Sequence, residues 1–183
     1  MKFISIDIET TGLDSEVHQI LEFGAIAAEV GSLTPLDKLP TFHRYIVHEC
    51  IIGQPYALQM NANIIKRIAL KEPGYEYCKP EDLMREFREW LGYLGYTSEG
   101  GINAAGKNFA SFDLQFINKL NPGAHGVKFK HRVLDPAILY YRPGDKALPD
   151  LKTCKERAGV GGDVSHNALD DALDVVKLIL ARL

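Results

Sequence analysis

Asp7-Ile8-Glu9 puts two carboxylates one residue apart, and two carboxylates on one face can hold a divalent cation or handle a proton. Alone, a D-x-E pair is weak: with 12 Asp and 12 Glu in 183 residues, chance supplies about 0.8 of them. Asp14 and Glu16 make a second such pair. Context separates the two. Phe3, Ser5, Asp7 and Glu9 fall on one face of a strand and Ile4, Ile6 and Ile8 on the other, leaving Asp7 and Glu9 about 7 Å apart on the same side. Asp14 and Glu16 follow the turn at Gly12. The plain alternative for Asp7 and Glu9 is a polar strand end.

Asp113 is the next candidate. In a helix over 110–120, Gln115, Asn118 and Lys119 mark the solvated side, and Asp113 lies about 160° from Gln115. It therefore faces inward, with Phe109 and Ile117 four residues before and after it. A buried carboxylate needs a cation or several donors to offset its desolvation. An Asp in a first turn can also be satisfied by backbone N–H groups there. Both readings stand on this segment alone.

The third candidate is His166-Asn167-Ala168-Leu169-Asp170-Asp171. On a helical wheel Asp170, Asp174 and Lys177 share one stripe, the pattern of a solvated edge, whereas Asp171 shares its stripe with Val175 and Leu178. Asp171 is the inward acid, and a loop before the helix would carry His166 over the same place. A lone His is more often structural, so its weight comes from its neighbours.

These side chains need a frame. Alternation and β-branched content predict strands over 3–9, 19–30 and 42–47, and a short buried strand over 102–105. Helices are expected over 57–70, 81–94 after Pro80, 110–120, 136–141, 151–158 and 167–183, with Asn121-Pro122-Gly123 ending the fourth strand's helix and a loop over 159–162. Strands first, then helices alternating with strands, indicate an α/β domain with a mixed sheet flanked by helices.

At 183 residues and 46% hydrophobic, the chain suits one compact domain over 1–183. No apolar run approaches the roughly 20 residues that span a bilayer, and the first segment meets carboxylates early, so a cytoplasmic protein with no membrane partner is expected. Cys50, Cys78 and Cys154 are scattered, with no C-x-x-C pair, and read as ordinary buried or half-buried thiols. A net charge of −3 argues against a nucleic-acid partner. Two divalent cations on four of the acids would bring it to about +1 and weaken that objection. Lys128, Lys130, His131 and Arg132 could meet phosphates, or form a solvated face.

Three ordered segments, Asp7 to Leu13 (DIETTGL), Asn108 to Asp113 (NFASFD) and His166 to Asp171 (HNALDD), together resemble the motifs of the DEDDh exonucleases. That family includes proofreading subunits of bacterial replicative polymerases, ribonuclease T and oligoribonuclease-like enzymes. Gln19 to Ile26 (QILEFGAI) also looks like the family's second strand. The resemblance implies a ribonuclease H-like fold with a five-stranded mixed sheet. It implies a 3′-5′ exonuclease that releases nucleoside 5′-monophosphates from DNA or RNA.

By the same resemblance Asp7, Glu9, Asp113 and Asp171 hold two Mg²⁺ or Mn²⁺ ions about 4 Å apart, and His166 is the general base. Asp7 would bridge both ions, Glu9 and Asp171 would serve the one that activates water, and Asp113 would act partly through bound water. Thr10 and Thr11 through their backbone, Leu13 as an apolar wedge and Asn108 would meet the substrate, a free 3′ end that is single-stranded or frayed. A polymerase, if one is involved, would be a separate chain. Lys107 departs from the family, many members having His there, which leaves substrate details open. Two other classes stay in view: a ribonuclease H-like endonuclease, and a non-catalytic nucleic-acid-binding or polymerase-docking module.

Overall fold

The computed structural model describes residues 1–96, 100–121, 126–161 and 163–183. Five strands form one sheet: β1 (Lys2–Thr10), β2 (Ile20–Glu29), β3 (Thr41–Ile46), β4 (Tyr77–Cys78) and β5 (Ala104–Ala105). Their order is β4-β3-β2-β1-β5. The first three form an antiparallel meander, while β4 joins β3 and β5 joins β1 in parallel, so the sheet is mixed. Beyond β5, Phe129 and Leu134 bridge to Ile102 and Ala105 and extend that edge.

The period of two in β1 divides the interior. Ile4, Ile6 and Ile8 join Phe23 and Phe42 under α3 (Pro80–Tyr93) and α4 (Asp113–Leu120). Pro80 opens α3 and Glu81 and Asp82 occupy its first turn, where the helix dipole favours acids; Leu83, Met84, Phe87 and Leu91 are buried. On the other face, Phe3, Ile26 and Ala28 pack against α7 (Ala168–Leu180), with α5 (Pro136–Tyr140) and α6 (Leu151–Ala158) beside it. Gly24 lets β2 and α7 meet: a Cβ there would lie 2.5 Å from the Ala168 and Leu169 backbone.

Several expectations shift. The helix expected over 57–70 is two, α1 (Pro55–Met60) and α2 (Ala62–Leu70), because Asn61 leaves helical geometry and sends its amide to the Thr10 carbonyl. The helix expected from 110 begins at Asp113, since Phe112 sits at φ −125, ψ −75. The chain ends α7 at Leu180, three residues earlier than expected, and Asn167 is its cap. Strand β4 had no sequence signal, being two residues long. Pro122, Gly123 and Gly162 lie outside the described residues. Cys50 is exposed, not buried like Cys78 and Cys154. No described helix is long and apolar enough to cross a membrane.

Candidate metal centre

Strand β1 carries Asp7 and Glu9 on the face turned to α7, where Ser5 Oγ already donates to the Ala172 carbonyl at 2.8 Å. The β1–β2 register shifts just after Glu9, an irregularity that re-aims side chains at the strand end. Asp113 opens α4 and is 3% exposed; its Oδ1 accepts the Ile8 N–H at 3.2 Å, so a β1 amide supplies a donor that the carboxylate needs. Asp171 is buried in α7, and its Oδ1 accepts from Ser165 N–H at 3.3 Å and Ser165 Oγ at 3.1 Å. His166 is exposed, on a left-handed backbone with φ +51.

Glu9, His166 and Asp171 each offer a ligand atom, and the three atoms lie within 4.8 Å of one another. Asp7, half-buried, belongs electrostatically to the same group. Burial lifts its pKa well above the usual carboxylate range, and Asp113, Glu9, Asp171 and Glu22 add to the rise. Burial, with Glu22 and Asp171 nearby, holds Glu9 at about 7, although a hydrogen bond from Asn61 opposes the shift. Asp113 is pushed up to about 8, chiefly by burial, against backbone hydrogen bonds that include the one from Ile8. Asp171 is raised as well, again by burial first, with Ser165 and His166 pulling the other way.

Acids that cling to protons in this way form a cluster short of positive charge, which a cation would supply. The donors are carboxylate oxygens, which suit hard Mg²⁺ or Mn²⁺ better than a thiolate-seeking metal, and the imidazole of His166 lies within reach of them. The residues present therefore fit a divalent-metal site.

Of the substrate candidates, Leu13 is open, 73% exposed. It lines a recess with Tyr56, Met60, Asn61 and Phe112 directly beside Glu9. Thr10 and Thr11 are buried and their hydroxyls serve the loop: Thr10 Oγ1 donates to the Gly12 carbonyl at 2.8 Å and Thr11 Oγ1 to the Ile52 carbonyl at 2.6 Å. The Thr11 backbone is engaged too, its N–H with Gln19 and its carbonyl with Gln54. Asn108 has φ +59; its N–H donates to Asp135 Oδ2 at 3.0 Å, and its Oδ1 accepts from Lys107 Nζ at 2.7 Å. Lys128, Lys130, His131 and Arg132 are exposed on the segment along the β5 edge.

Sequence reasoning missed Glu22, which is fully buried opposite Glu9. The available signal was the alternation Glu22, Gly24, Ile26 within β2, but its meaning depends on register, which only the paired strands define. It also missed Asn61, whose role rests on a contact with Thr10 made across 51 residues.

The helical wheel was wrong for Asp174. That carboxylate is buried, paired with the buried Lys155 of α6 and, at 2.8 Å, with Lys177. A wheel computed for one helix cannot see a second helix covering its edge.

The chain matches the family described as Exonuclease (RNase_T) over residues 4–179. It is 25% identical over 186 residues to DNA polymerase III subunit epsilon of Aquifex aeolicus, covering 99% of this chain and 80% of that protein. It is also 25% identical over 180 residues to DNA polymerase III PolC-type of Clostridium perfringens, covering 97% of this chain but only 11% of that protein. E. coli Exonuclease I, solved in complex with a dT13 oligonucleotide, shares the fold with a TM-score of 0.66 at 15% identity, over 99% of this chain and 41% of that one. The mixed five-stranded sheet flanked by helices is thus the ribonuclease H-like arrangement expected from the motifs. With a family match running from β1 to the end of α7, the chain belongs to the exonuclease family.

Proposed function

We propose that residues 1–183 act as one catalytic domain, a metal-dependent 3′-5′ exonuclease of the DEDDh type. The observation that carries this reading is the meeting of Glu9, His166 and Asp171 beside Asp7, with Asp113 tied to the adjacent strand. Asp7, Glu9, Asp113 and Asp171 would hold two divalent cations, Mg²⁺ or Mn²⁺. When bound, such ions neutralise a scissile phosphate and lower the proton affinity of water.

His166, exposed at the rim, accepts the proton of the attacking water. The water oxygen bonds to phosphorus as the bond from phosphorus to the preceding nucleotide's 3′ oxygen breaks. That oxygen leaves with a proton from solvent, and a nucleoside 5′-monophosphate is released. The recess of Leu13, Tyr56, Met60 and Phe112 suits the flat apolar face of a terminal base. Family membership and the similarity to a polymerase subunit support a nucleic-acid substrate and allow a separate polymerase chain as partner. The oligonucleotide in the related fold favours a single-stranded or frayed 3′ end. The site of action that fits these substrates is the cytoplasm.

End-labelled single-stranded and duplex DNA and RNA, digested with Mn²⁺ and resolved by length, test the reading. Mononucleotide release with stepwise shortening from the 3′ end is expected. Cleavage of a circular single strand would point instead to an endonuclease, and no release from any substrate to a binding module.

A further inference from the structure

Glu22 lies outside the three segments that supply the metal centre, yet it is buried beside them. Its Oε1 is 2.9 Å from Asn167 Nδ2, which donates to it, and 2.6 Å from His43 Nε2. Its Oε2 has no hydrogen-bond partner among the described residues. The carboxylate also raises the proton affinity of Asp7 and Glu9, so it adds negative charge where there is already too much. An apolar side chain would fill the same space at less cost in desolvation. What an apolar side chain could not do is pair with His43 on β3 and accept the Asn167 amide, and of these two contacts only the second reaches α7.

Asn167 works in both directions. Its Oδ1 accepts the Asp170 N–H at 3.2 Å and caps α7, while its Nδ2 reaches across to Glu22. Its carbonyl accepts the Asp171 N–H at 3.0 Å. The preceding residue is His166, held at φ +51, a left-handed turn that few non-glycine residues take and that sets where the imidazole is aimed. Two residues from Glu22 along β2, Gly24 sits against the Ala168 and Leu169 backbone. The start of α7 is therefore fixed to β2 at two points, one by close packing and one by the Glu22–Asn167 hydrogen bond.

We propose that Glu22 and Asn167 are a positioning pair: their hydrogen bond holds the left-handed turn at His166 and so keeps the imidazole beside Glu9 and Asp171. This rests on His166 acting as the general base. Neither residue touches the reacting atoms. Losing the bond leaves the acids in place and lets the imidazole wander, which lowers turnover more than binding.

Asn167→Ser separates capping from positioning, because serine still caps a helix but has no amide to reach Glu22. In the full chain with saturating Mn²⁺ and a labelled single strand, Asn167→Ser should lower kcat about 10- to 100-fold. KM and the Mn²⁺ midpoint should stay near the parent's, and the melting temperature should fall by a few degrees for the one donor lost to a buried carboxylate. Glu22→Gln, which keeps an acceptor oxygen and the volume, should retain most of kcat, while Glu22→Leu should lose as much as Asn167→Ser. In a His166→Ala background Asn167→Ser should cost nothing further. An unchanged kcat for Asn167→Ser, or the same fold loss with and without His166, would overturn the pair. If His166→Ala itself turns over like the parent, the general-base reading fails, and that result is distinct from additive losses, which reject the positioning pair alone.

Discussion

Glu9 and Glu22 are direct partners across the antiparallel β1–β2 ladder, two carboxylates facing each other on the buried side of the sheet. Like charges placed opposite one another destabilise a strand pair, and here they help to hold Glu9 at about 7 against an ordinary value of 4.5. The folded state thus keeps a proton that the unfolded chain releases. Stability from this group is fully present below about 4.5 and is lost as pH rises to about 7; Asp113 extends the window to about 8. Without metal, the protein should melt at lower temperature at pH 8 than at pH 5. Glu9→Gln should remove part of that slope, at most about 3 kcal/mol. A melting temperature that climbs from pH 5 to 8 in chelator would contradict the crowded-acid picture.

Cations should reverse the trend. Mn²⁺ held by the ionised acids of the fold, as proposed, would find no such cluster in the unfolded chain, so saturating metal at pH 8 should raise the melting temperature, and less so at pH 5 where protons compete. Calorimetry in matched buffers with Mn²⁺ and with chelator checks this. An unchanged curve would mean that the four acids do not form a site.

His166→Ala should lower kcat about 100-fold while leaving the Mn²⁺ stabilisation largely intact, because the proposed proton acceptor and the proposed metal ligands are different side chains. Steady-state rates of both proteins at saturating Mn²⁺, and their melting curves with and without metal, provide the comparison. An alanine variant that turns over like the parent would remove the histidine from the reaction.

The first three strands and the inward acids were legible because each rests on a local pattern, whereas the two-residue β4 has none. Alternation placed Asp7 and Glu9 on the face opposite Ile6 and Ile8, and the helical wheel placed Asp171 inward. What the sequence hid depends on contacts between distant segments. Glu22 acquires its meaning from the register with Glu9, Asn61 from Thr10, and Asp174 from the helix that covers it. The left-handed turns were equally hard to place: Asn108 and His166 both take positive φ, and the preference of Asn and His for it is too weak to pick out one position.

The hidden ion pair yields its own prediction. Lys155 and Asp174 are both buried, and Lys155 Nζ also donates to the Asp163 carbonyl at 2.8 Å, joining α6, α7 and the loop that leads to His166. Lys155→Met removes a cation from a buried carboxylate and should destabilise the protein by about 3 kcal/mol, with Lys177 limiting the loss. Asp174→Leu in the same chain should restore much of it, since no buried charge then remains unpaired and Lys177, which loses its partner, is part-exposed to water. Chemical denaturation of the two variants tests this, and a neutral Lys155→Met would show that the pair carries no net stability.

Adjacent acids in α7 provide the sharpest test of the site. Asp171 is buried with an oxygen in the group formed by Glu9 and His166, whereas Asp170 is exposed and interacts with Asn167 through its backbone N–H. One helical step of about 100° separates them. Asp171→Asn should reduce nucleotide release by orders of magnitude, because it removes a charged ligand from the proposed metal centre. It should not unfold the protein: Asn matches Asp in shape, can still accept from Ser165, and relieves repulsion among raised carboxylates. Asp170→Asn leaves the backbone cap untouched and should change activity by less than about twofold. Both variants must show parental melting without metal before their rates on one labelled strand are compared. If Asp170→Asn is the inactive protein and Asp171→Asn the active one, the carboxylates gathered around Glu9 are not the catalytic site.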